Sequence, residues 1–262
     1  MRKAIFITGG GSGIGQAAAV LFAKRGWFVG LADINEAGMT ATARLIGPKN
    51  AFVAKMDVRD RAQWRDALQR FVEASGGRLD VLFNNAGVGH GGPFELMDDD
   101  KRDLVIDVNL KGVMYGAEAG LPHLKATPGS CLLNTCSAAG FYAGPHMAVY
   151  AASKFGVRAM TDSLDAEWQA HGVKVRSIMP SFIDTPLLDA VAAGSNQSGR
   201  ETVKAMGLEF TPVEEVAEAA WNTVHGKKRH VLVGRTARRL AFFVRWAPFL
   251  LDRMGPKQPS SE

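Results

Sequence analysis

Short apolar runs alternate with longer segments of helical periodicity along most of this chain. The apolar runs predict strands at residues 3–7, 27–32, 51–56, 79–84, 130–136, 173–179 and 231–234. Segments with apolar residues at the helical period predict helices at residues 13–25, 36–45, 61–73, 101–123, 150–171 and 213–224. Strands separated by helices form βαβ units with parallel pairing and right-handed crossovers. We therefore expect one α/β domain, doubly wound and Rossmann-like, with a seven-stranded parallel sheet and helices on both faces.

Two stretches depart from this alternation. Residues 185–210 place apolar side chains around a small, polar middle at 193–199. Long connections of this kind inside a compact domain are usually functional, so we predict a lid over a binding site. The second stretch, residues 235–262, is a basic extension that follows a main body of residues 1–234.

The extension is amphipathic. Apolar residues fall at helical spacing between arginines, namely Leu240, Phe243, Val244, Ala247, Leu251 and Met254. Pro248 predicts that a first short helix ends near Ala247 and that a second one follows. The longest uncharged stretch, residues 246–251, is far shorter than the ~20 residues of a membrane-spanning helix. Three roles stay open: peripheral contact with an anionic membrane surface, a cover for the pocket, or packing against another subunit.

The net charge of +5 is concentrated near the carboxyl terminus. Residues 227–253 sum to +7, which leaves the preceding body at −2. Nucleic-acid binding favours basic residues interleaved with aromatic residues across one face, and the body has no such stripe. We therefore expect no nucleic-acid partner.

The two cysteines, Cys131 and Cys136, lie in one predicted strand. Their Cα atoms would be farther apart than the ~7 Å that a disulfide allows, so both are expected to be reduced core thiols. No Cys and His cluster has metal-ligand spacing, so no metal is expected. The first strand directly follows the amino terminus, which leaves no room for a signal peptide and predicts a cytoplasmic protein.

Tyr150 and Lys154 lie four positions apart in the predicted helix 150–171. Positions i and i+4 share a helix face, so the phenol and the ammonium can enter one pocket. Their ordinary pKa values, about 10 and about 10.4, make neither group an efficient acid–base at neutral pH. A nearby cation favours the phenolate, so Lys154 is expected to lower the pKa of Tyr150 toward the useful range.

A glycine-rich turn, Gly9-x-x-x-Gly13-x-Gly15, follows the first predicted strand and opens the first predicted helix. Glycines let the backbone approach a pyrophosphate, and the helix amino terminus offers unpaired N–H groups and a positive dipole end. Asp33 ends the second strand, where a carboxylate accepts hydrogen bonds from the adenosine ribose of a dinucleotide.

From about residue 3 to residue 234 the chain resembles the short-chain dehydrogenase/reductase family. The residues that carry the resemblance are the turn 8–15, Asp33, Asp57, the segment 84–87, Asn109, Ser137, the segment 150–154 and the segment 180–186. The resemblance implies an NAD-binding catalytic domain over residues 1–234, with the lid at 185–210. It also implies a homotetramer or homodimer with helices 101–123 and 150–171 at an interface.

The resemblance implies a catalytic tetrad. Tyr150 would exchange a proton with the substrate oxygen, and Ser137 would hydrogen-bond that oxygen as charge develops. Lys154 would lower the pKa of the phenol and hold the nicotinamide ribose. Asn109 would hold a water that links Lys154 to solvent, the alternative being a structural asparagine.

The resemblance also implies a set of contacts to a bound NAD. These are Gly9, Ser12, Gly13, Ile14, Gly15, Asp33, Asp57, Val58, Asn85, Ala86, Gly87, Tyr150, Lys154, Pro180, Ile183 and Thr185. Asp57 would contact the adenine, the alternative being a helix N-cap. NAD is favoured over NADP because Asp33 would repel a 2′-phosphate and the glycine turn has no Arg or Lys.

The substrate pocket is predicted from residues 88–94, 141–144 and 146–147 and from the lid. Most of these side chains are apolar, which indicates a hydrophobic secondary alcohol or ketone. His146, one turn before Tyr150, would touch substrate or serve as a surface or capping residue. The family usually has Pro-Gly where this chain has Pro180-Ser181, so Ser181 needs a backbone conformation that a β-carbon tolerates.

Together these observations predict an NAD-dependent oxidoreductase acting on a CH–OH group, with Tyr150 as the acid–base. Two rivals stay open. One is a catalytically weak member of the fold that senses cofactor or acts as a scaffold. The other is epimerisation or dehydration of a nucleotide sugar, disfavoured by the short segment after the last predicted strand.

Overall fold

Seven parallel strands form one sheet in the computed structural model, which describes residues 2–249. The strands are β1 Ala4–Thr8, β2 Phe28–Asp33, β3 Ala51–Lys55, β4 Val81–Asn84, β5 Cys131–Thr135, β6 Lys174–Pro180 and β7 His230–Val233. Their order across the sheet is β3-β2-β1-β4-β5-β6-β7, and each neighbouring pair is parallel. The order changes direction between β1 and β4, which opens a crevice at the carboxyl ends of these strands. The predicted doubly wound α/β fold is confirmed.

Helices cover both faces of this sheet. Over residues 2–249 they are α1 Gly13–Lys24, α2 Glu36–Ile46, α3 Arg61–Ala74, α4 Asp99–Ile106, α5 Gly112–Lys125, α6 Ala148–Glu167, α7 Gly199–Ala205, α8 Val213–His225 and α9 Arg235–Trp246. Each predicted strand begins and ends within two residues of the observed strand.

The predicted helix over residues 101–123 is present, but it contains a turn that was not predicted. The chain forms α4, then a π-helical turn at Asp107–Lys111, then α5. A π-helical turn has i→i+5 hydrogen bonds and holds about one residue more than an α-helical turn. The spacing of apolar residues predicts the helix but does not reveal this local change.

Helix α7 was also missed, because it lies inside the connection 185–210. It begins with a capping box, in which Ser198 Oγ accepts from Glu201 N and the Glu201 carboxylate accepts from Ser198 N. The pair satisfies two N–H groups of a helix only seven residues long.

The central strands are apolar on both faces because helices bury both sides of the sheet. Ile5 and Ile7 of β1 pack toward Phe22 of α1 and Val216 of α8. Phe6 points the other way, into a cluster with Trp64 and Phe71 of α3. With both faces covered, polar side chains gather at the ends of the strands.

The extension begins with α9, which ends at Trp246, two residues before Pro248. The predicted end near Ala247 is therefore confirmed. Residues 248–249 are helical again, and the rest of the second predicted helix lies outside the described residues. Among residues 2–249, no helix combines the length and the apolar character needed to cross a bilayer.

Candidate active site

The carboxyl ends of five strands surround the crevice. They carry the glycine turn after β1, Asp33 at the end of β2, residues 85–87 after β4, Ser137 after β5 and residues 181–186 after β6. Helix α6 brings Tyr150 and Lys154 to the same edge. The sheet therefore gathers most of the predicted cofactor and catalytic residues at one end of the molecule.

The turn between β1 and α1 depends on glycine. Gly9 and Gly13 have φ angles of +68° and +52°, in the left-handed region that favours glycine. A β-carbon on Gly15 would collide with the carbonyl of Gly9. This close approach leaves the backbone bare where a pyrophosphate would lie.

The amino terminus of α1 suits an anion. Its N-cap, Ser12, makes no side-chain capping hydrogen bond, and the first turn, which includes Ile14, has no acidic residue. The N–H groups of this turn thus keep their donor capacity and the positive end of the helix dipole.

Asp33 faces the glycine turn. Its Oδ2 accepts from Gly11 N at 2.9 Å and its Oδ1 accepts from Asn35 N at 2.9 Å. An ionised carboxylate has about four acceptor positions, so capacity is left for ribose hydroxyls. The glycine turn and the amino terminus of α1 suit a pyrophosphate, and the Asp33 carboxylate suits a ribose. These residues therefore fit a dinucleotide.

The segment after β4 is held against β1 by Thr8. Thr8 Oγ1 accepts from Asn85 N at 3.0 Å and from Ala86 N at 3.1 Å, and Asn85 Nδ2 donates to Thr8 O at 3.0 Å. Gly87 follows, where a β-carbon would lie 3.2 Å from Asn109 Oδ1. Thr8 therefore positions two predicted cofactor contacts, Asn85 and Ala86, a role that the sequence analysis did not assign to it.

Asp57 is paired within its own loop. Its carboxylate binds the side chain of Arg59, which outweighs burial and holds the pKa of Asp57 below its ordinary value. The N-cap of α3 is Asp60, which accepts from two backbone N–H groups, so the N-cap alternative for Asp57 was wrong. Val58 is buried, and its carbonyl accepts from Trp64 Nε1 at 3.0 Å.

After β6 the chain turns back over the crevice. Pro180 ends the strand, and Ser181 lies outside the left-handed region and donates its N–H to Val233 O at 3.1 Å. The serine is therefore tolerated where the family usually has glycine. Ile183 is buried and bridges to Thr211. Thr185 lies against the glycine turn, with its Cγ2 2.9 Å from the position of a β-carbon on Gly13.

Tyr150, Lys154 and Ser137 converge at the end of β5. The ammonium of Lys154 lies 5.7 Å from the centre of the Tyr150 ring and donates to Thr135 O at 3.0 Å. The Ser137 hydroxyl lies close enough to the Tyr150 phenol to lower its pKa, and it accepts from Ala139 N at 3.1 Å. Lys154 is 4% exposed, and none of the carboxylates described over residues 2–249 forms an ion pair with it.

The expected lowering of the Tyr150 pKa is not found in the protein alone. Burial raises the pKa of Tyr150 to about 12, and its hydrogen bond to Ser137 only partly opposes this. Burial also lowers the pKa of Lys154 to about 8. The prediction omitted the cost of removing both groups from water, which favours the neutral form of each.

Asn109 lies in the π-helical turn and is fully buried. Its Nδ2 donates to Val88 O at 2.9 Å and its Oδ1 accepts from Val88 N at 2.9 Å. Both ends of the amide thus hold the strand-to-loop segment beside Lys154. The structural role considered for Asn109 is present, and the water-holding role stays a prediction.

Comparison with known proteins agrees with this arrangement. A family model described as short chain dehydrogenase matches residues 3–196. The chain belongs to the short-chain dehydrogenase family. It is 34% identical over 218 residues to the oxidoreductase UcpA of Salmonella typhimurium, covering 82% of each chain.

Solved structures resemble this short-chain dehydrogenase over nearly its whole length. One is a short-chain dehydrogenase/reductase from Burkholderia phymatum in complex with NAD, with a TM-score of 0.85 and 27% identity, covering 100% of this chain and 98% of that one. Another, from Burkholderia cenocepacia in complex with NADP, has a TM-score of 0.82 and 22% identity, covering 98% of both chains, and shares the fold.

One side of the crevice in this short-chain dehydrogenase is lined by two histidines and by apolar residues. A small cavity is lined by His90, Gly91, Gly92, Phe94, Met97, His146, Met147, Ala148 and Val149. Burial lowers the pKa of His90, which favours its neutral form. His146 is an exposed residue with φ of +63°, and its carbonyl accepts from Gly92 N at 2.8 Å. It is not the N-cap of α6, which is Met147.

The connection 185–210 contacts the segment that lines this cavity. Ala193 N donates to Gly91 O at 2.8 Å, and Leu187 lies against Gly89. Arg200 of α7 pairs with Asp184 and Asp189 and donates to Thr185 O at 3.0 Å. Arg200 was missed in the sequence, where it lies 15 residues from the carbonyl that it binds.

The described residues include no group of three or more His, Cys, Asp or Glu side chains placed to hold a metal ion. Cys131 and Cys136 are separate buried thiols, and burial raises the pKa of each.

Proposed function

We propose that this short-chain dehydrogenase interconverts a hydrophobic secondary alcohol and its ketone with NAD, using Tyr150 as the acid–base. The observation that carries the proposal is the convergence of Tyr150, Ser137 and an unpaired, buried Lys154 at the carboxyl edge of the sheet. A buried lysine without a carboxylate costs stability, and such groups cluster at functional sites.

Each side chain has a task in this proposal. Tyr150 carries its proton at neutral pH and can donate it to a ketone oxygen. Because burial raises its pKa in the protein alone, this donation depends on Lys154 to stabilise the tyrosinate. Ser137 donates a hydrogen bond to the same oxygen and stabilises charge that develops there. Lys154, with a pKa of about 8, is largely charged near neutral pH and steadies the tyrosinate left behind.

The cofactor would be held by the glycine turn, the amino terminus of α1, Asp33 and residues 183–185. When bound, NAD supplies or accepts the hydride, and the chain fixes its position and excludes water. Asn109 and Thr8 contribute by holding residues 85–88 in place.

Asp33 supports NAD over NADP. Its carboxylate is fixed beside the glycine turn, where a 2′-phosphate would meet a like charge with no paired cation. Like-charge juxtaposition costs several kcal/mol, so NADH is expected to be preferred by about 100-fold in kcat/KM.

The cavity supports an apolar substrate. Phe94, Met97 and Met147 line it, and His90 favours its neutral form. A substrate carboxylate would find no fixed cation in this group of lining residues. An uncharged ketone or alcohol with apolar substituents is the class that these lining residues favour.

The test measures absorbance at the reduced-nicotinamide band with NADH or NADPH and a panel of hydrophobic ketones. We expect turnover with NADH, and a decrease in kcat of about 10²–10⁴-fold in Tyr150→Phe with NADH binding retained. Tyr115→Phe is the matched control, because Tyr115 lies on α5 beneath the Arg61 side chain and should keep full activity.

Two outcomes would contradict the proposal. NADH binding with no turnover on any panel member would favour a cofactor-sensing or scaffold protein. Preferred use of NADPH would remove the role assigned to Asp33. Assembly as a homodimer or homotetramer belongs to the same proposal and is measured by light scattering.

A further inference from the structure

Helix α9 exposes one continuous stripe of side chains. The exposed residues recur at helical spacing and define what we call the outward face of α9: Arg235, Arg238, Arg239, Phe242, Arg245 and Trp246. Phe249, three residues past the end of the helix, is exposed as well. The stripe thus combines arginines with large aromatic rings.

The opposite side of α9 packs on the body. Ala237 is fully buried, and Leu240 and Val244 are partly buried. The helix packs against β7 and against residues 138–140, which directly follow Ser137. The outward face therefore belongs to an element anchored at the same edge of the sheet as the active site.

The outward face is cationic and its charges are largely unpaired. In the sequence no acidic residue occurs between Glu218 and Asp252. Among residues 2–249, Arg238, Arg239 and Arg245 form no ion pair, and Arg235 lies 3.9 Å from Glu209. These arginines are free to meet phosphate groups outside the molecule.

The aromatic rings on this face are mostly exposed. Phe242 is 59% exposed and Trp246 is 66% exposed, whereas Trp27, Trp64 and Trp168 are buried. Leaving large apolar rings in water is unfavourable, and tryptophan is favoured where one side is apolar and the other is wet. Arginines beside such rings are the composition of helices that lie in a membrane interface.

We propose that the outward face of α9 docks the protein on an anionic phospholipid bilayer. A helix of 12 residues is about 18 Å long and would lie in the plane of the interface, with its rings between the headgroups. A second copy is a poorer occupant, because a two-fold interface on this face would place arginines against arginines. Docking needs no turnover, so it stands apart from the proposed reaction.

The first test sediments the full chain with vesicles of phosphatidylglycerol and phosphatidylcholine, or of phosphatidylcholine alone. We expect binding to the anionic vesicles only, weakening as salt is added. The double variant Arg238→Glu and Arg239→Glu should bind at least about tenfold more weakly, because two charges that attract anionic headgroups become two that repel them. The control pair, Lys49→Glu and Arg65→Glu, makes the same charge change on other exposed elements and should bind like the wild type.

The second test uses tryptophan fluorescence. Trp246 is the most exposed of the five tryptophans, so burial in lipid should shift the emission to shorter wavelength. Trp246→Phe should keep vesicle binding and lose the shift, because phenylalanine retains the apolar contact.

Three results would overturn the proposal. They are equal sedimentation with anionic and neutral vesicles, an emission shift that persists in Trp246→Phe, and arginine variants that change the oligomeric mass without changing sedimentation. The last result would assign the outward face to a second copy of the chain.

Discussion

Helix α6 carries charge in both of its halves, Lys154 in the first and Asp162 and Asp165 in the second. Lys154 is buried, donates to one backbone carbonyl and has no described carboxylate partner. Asp165 accepts from Val175 N, Arg176 and Arg229, and Asp162 accepts from Arg229 and His230. Within three turns, one helix thus holds a lysine without a carboxylate partner and two aspartates that are paired with basic side chains.

The pKa values record this difference. Burial lowers the pKa of Lys154, toward its neutral form. Burial by itself would raise the pKa of Asp162 and Asp165, but their hydrogen bonds outweigh it and both pKa values are lowered. Partners decide whether a buried group stays charged.

The contrast separates structural from functional polar groups. The paired half joins α6 to β6 and β7, and Ser177 Oγ lies 2.7 Å from His230 Nδ1 within the same network. Hydrogen bonds link Ser177 to His230 and His230 to Asp162, as in a hydrolytic Ser-His-Asp triad. Ser177 is fully buried, however, and out of reach of a substrate. The unpaired half faces the crevice, where the proposed function assigns Lys154 a role.

The largest test of the contrast replaces the unpaired charge. Lys154→Met should decrease kcat by about 10²–10⁴-fold, because the tyrosinate loses its stabilising cation. The free energy of unfolding should stay the same or increase, because an apolar side chain replaces a buried, unpaired ammonium. Steady-state kinetics and urea unfolding measure the two effects.

Lys174→Met is the matched control for Lys154→Met. The Lys174 ammonium also donates to a backbone carbonyl, Val224 O at 2.6 Å, but it lies at the opposite end of β6 from the crevice. The kcat of Lys174→Met should equal that of the wild type. The functional role proposed for Lys154 would be contradicted if Lys154→Met kept its turnover or unfolded more easily than the control.

The next test uses pH. The unfolded chain keeps the proton of Lys154 up to a pH of about 10.5, whereas the folded chain releases it near 8. Between these values the unfolded state binds more protons, so stability rises with pH. Relative to Lys154→Met, the wild type should gain about 3 kcal/mol across this window.

Tyr150 acts in the opposite direction above pH 10, because its folded pKa is raised. Both proteins contain this tyrosine, so the difference between their unfolding curves isolates the lysine. Urea unfolding at a series of pH values measures that difference. A flat difference would mean that Lys154 is hydrated in the folded protein.

The sequence predicts the unpaired half of α6 better than the paired half. Tyr150 and Lys154 form a local motif on one helix face, and the glycine turn has its own spacing, so both could be read directly. Asp162 and Asp165 meet Arg229 across 67 and 64 residues, and only the assembled sheet brings them together. No local pattern reports such a contact.

The same limit explains what was missed around the crevice. The π-helical turn at Asp107–Lys111 alters the hydrogen bonds of one turn inside a continuous helix, and the apolar positions did not reveal it. Helix α7 did have a local signal, the capping box of Ser198 and Glu201, which the glycine-rich setting obscured. The raised pKa of Tyr150 follows from its depth in the fold, which sequence spacing does not contain.

The smallest effect comes from breaking the paired half. In Asp165→Asn the amide nitrogen would face one of three donors, Val175 N, Arg176 or Arg229. Removing one partner of a fully buried pair costs about 3–5 kcal/mol, and here about 2 kcal/mol is expected because Arg229 is partly exposed.

Asp66→Asn breaks an exposed pair with Arg70 and should cost less than about 0.5 kcal/mol. Urea unfolding measures both, and kcat per folded molecule should not change in either. A lower kcat in Asp165→Asn would show that the two halves of α6 are coupled, and an unfolding cost equal to that of Asp66→Asn would show that the network adds no stability.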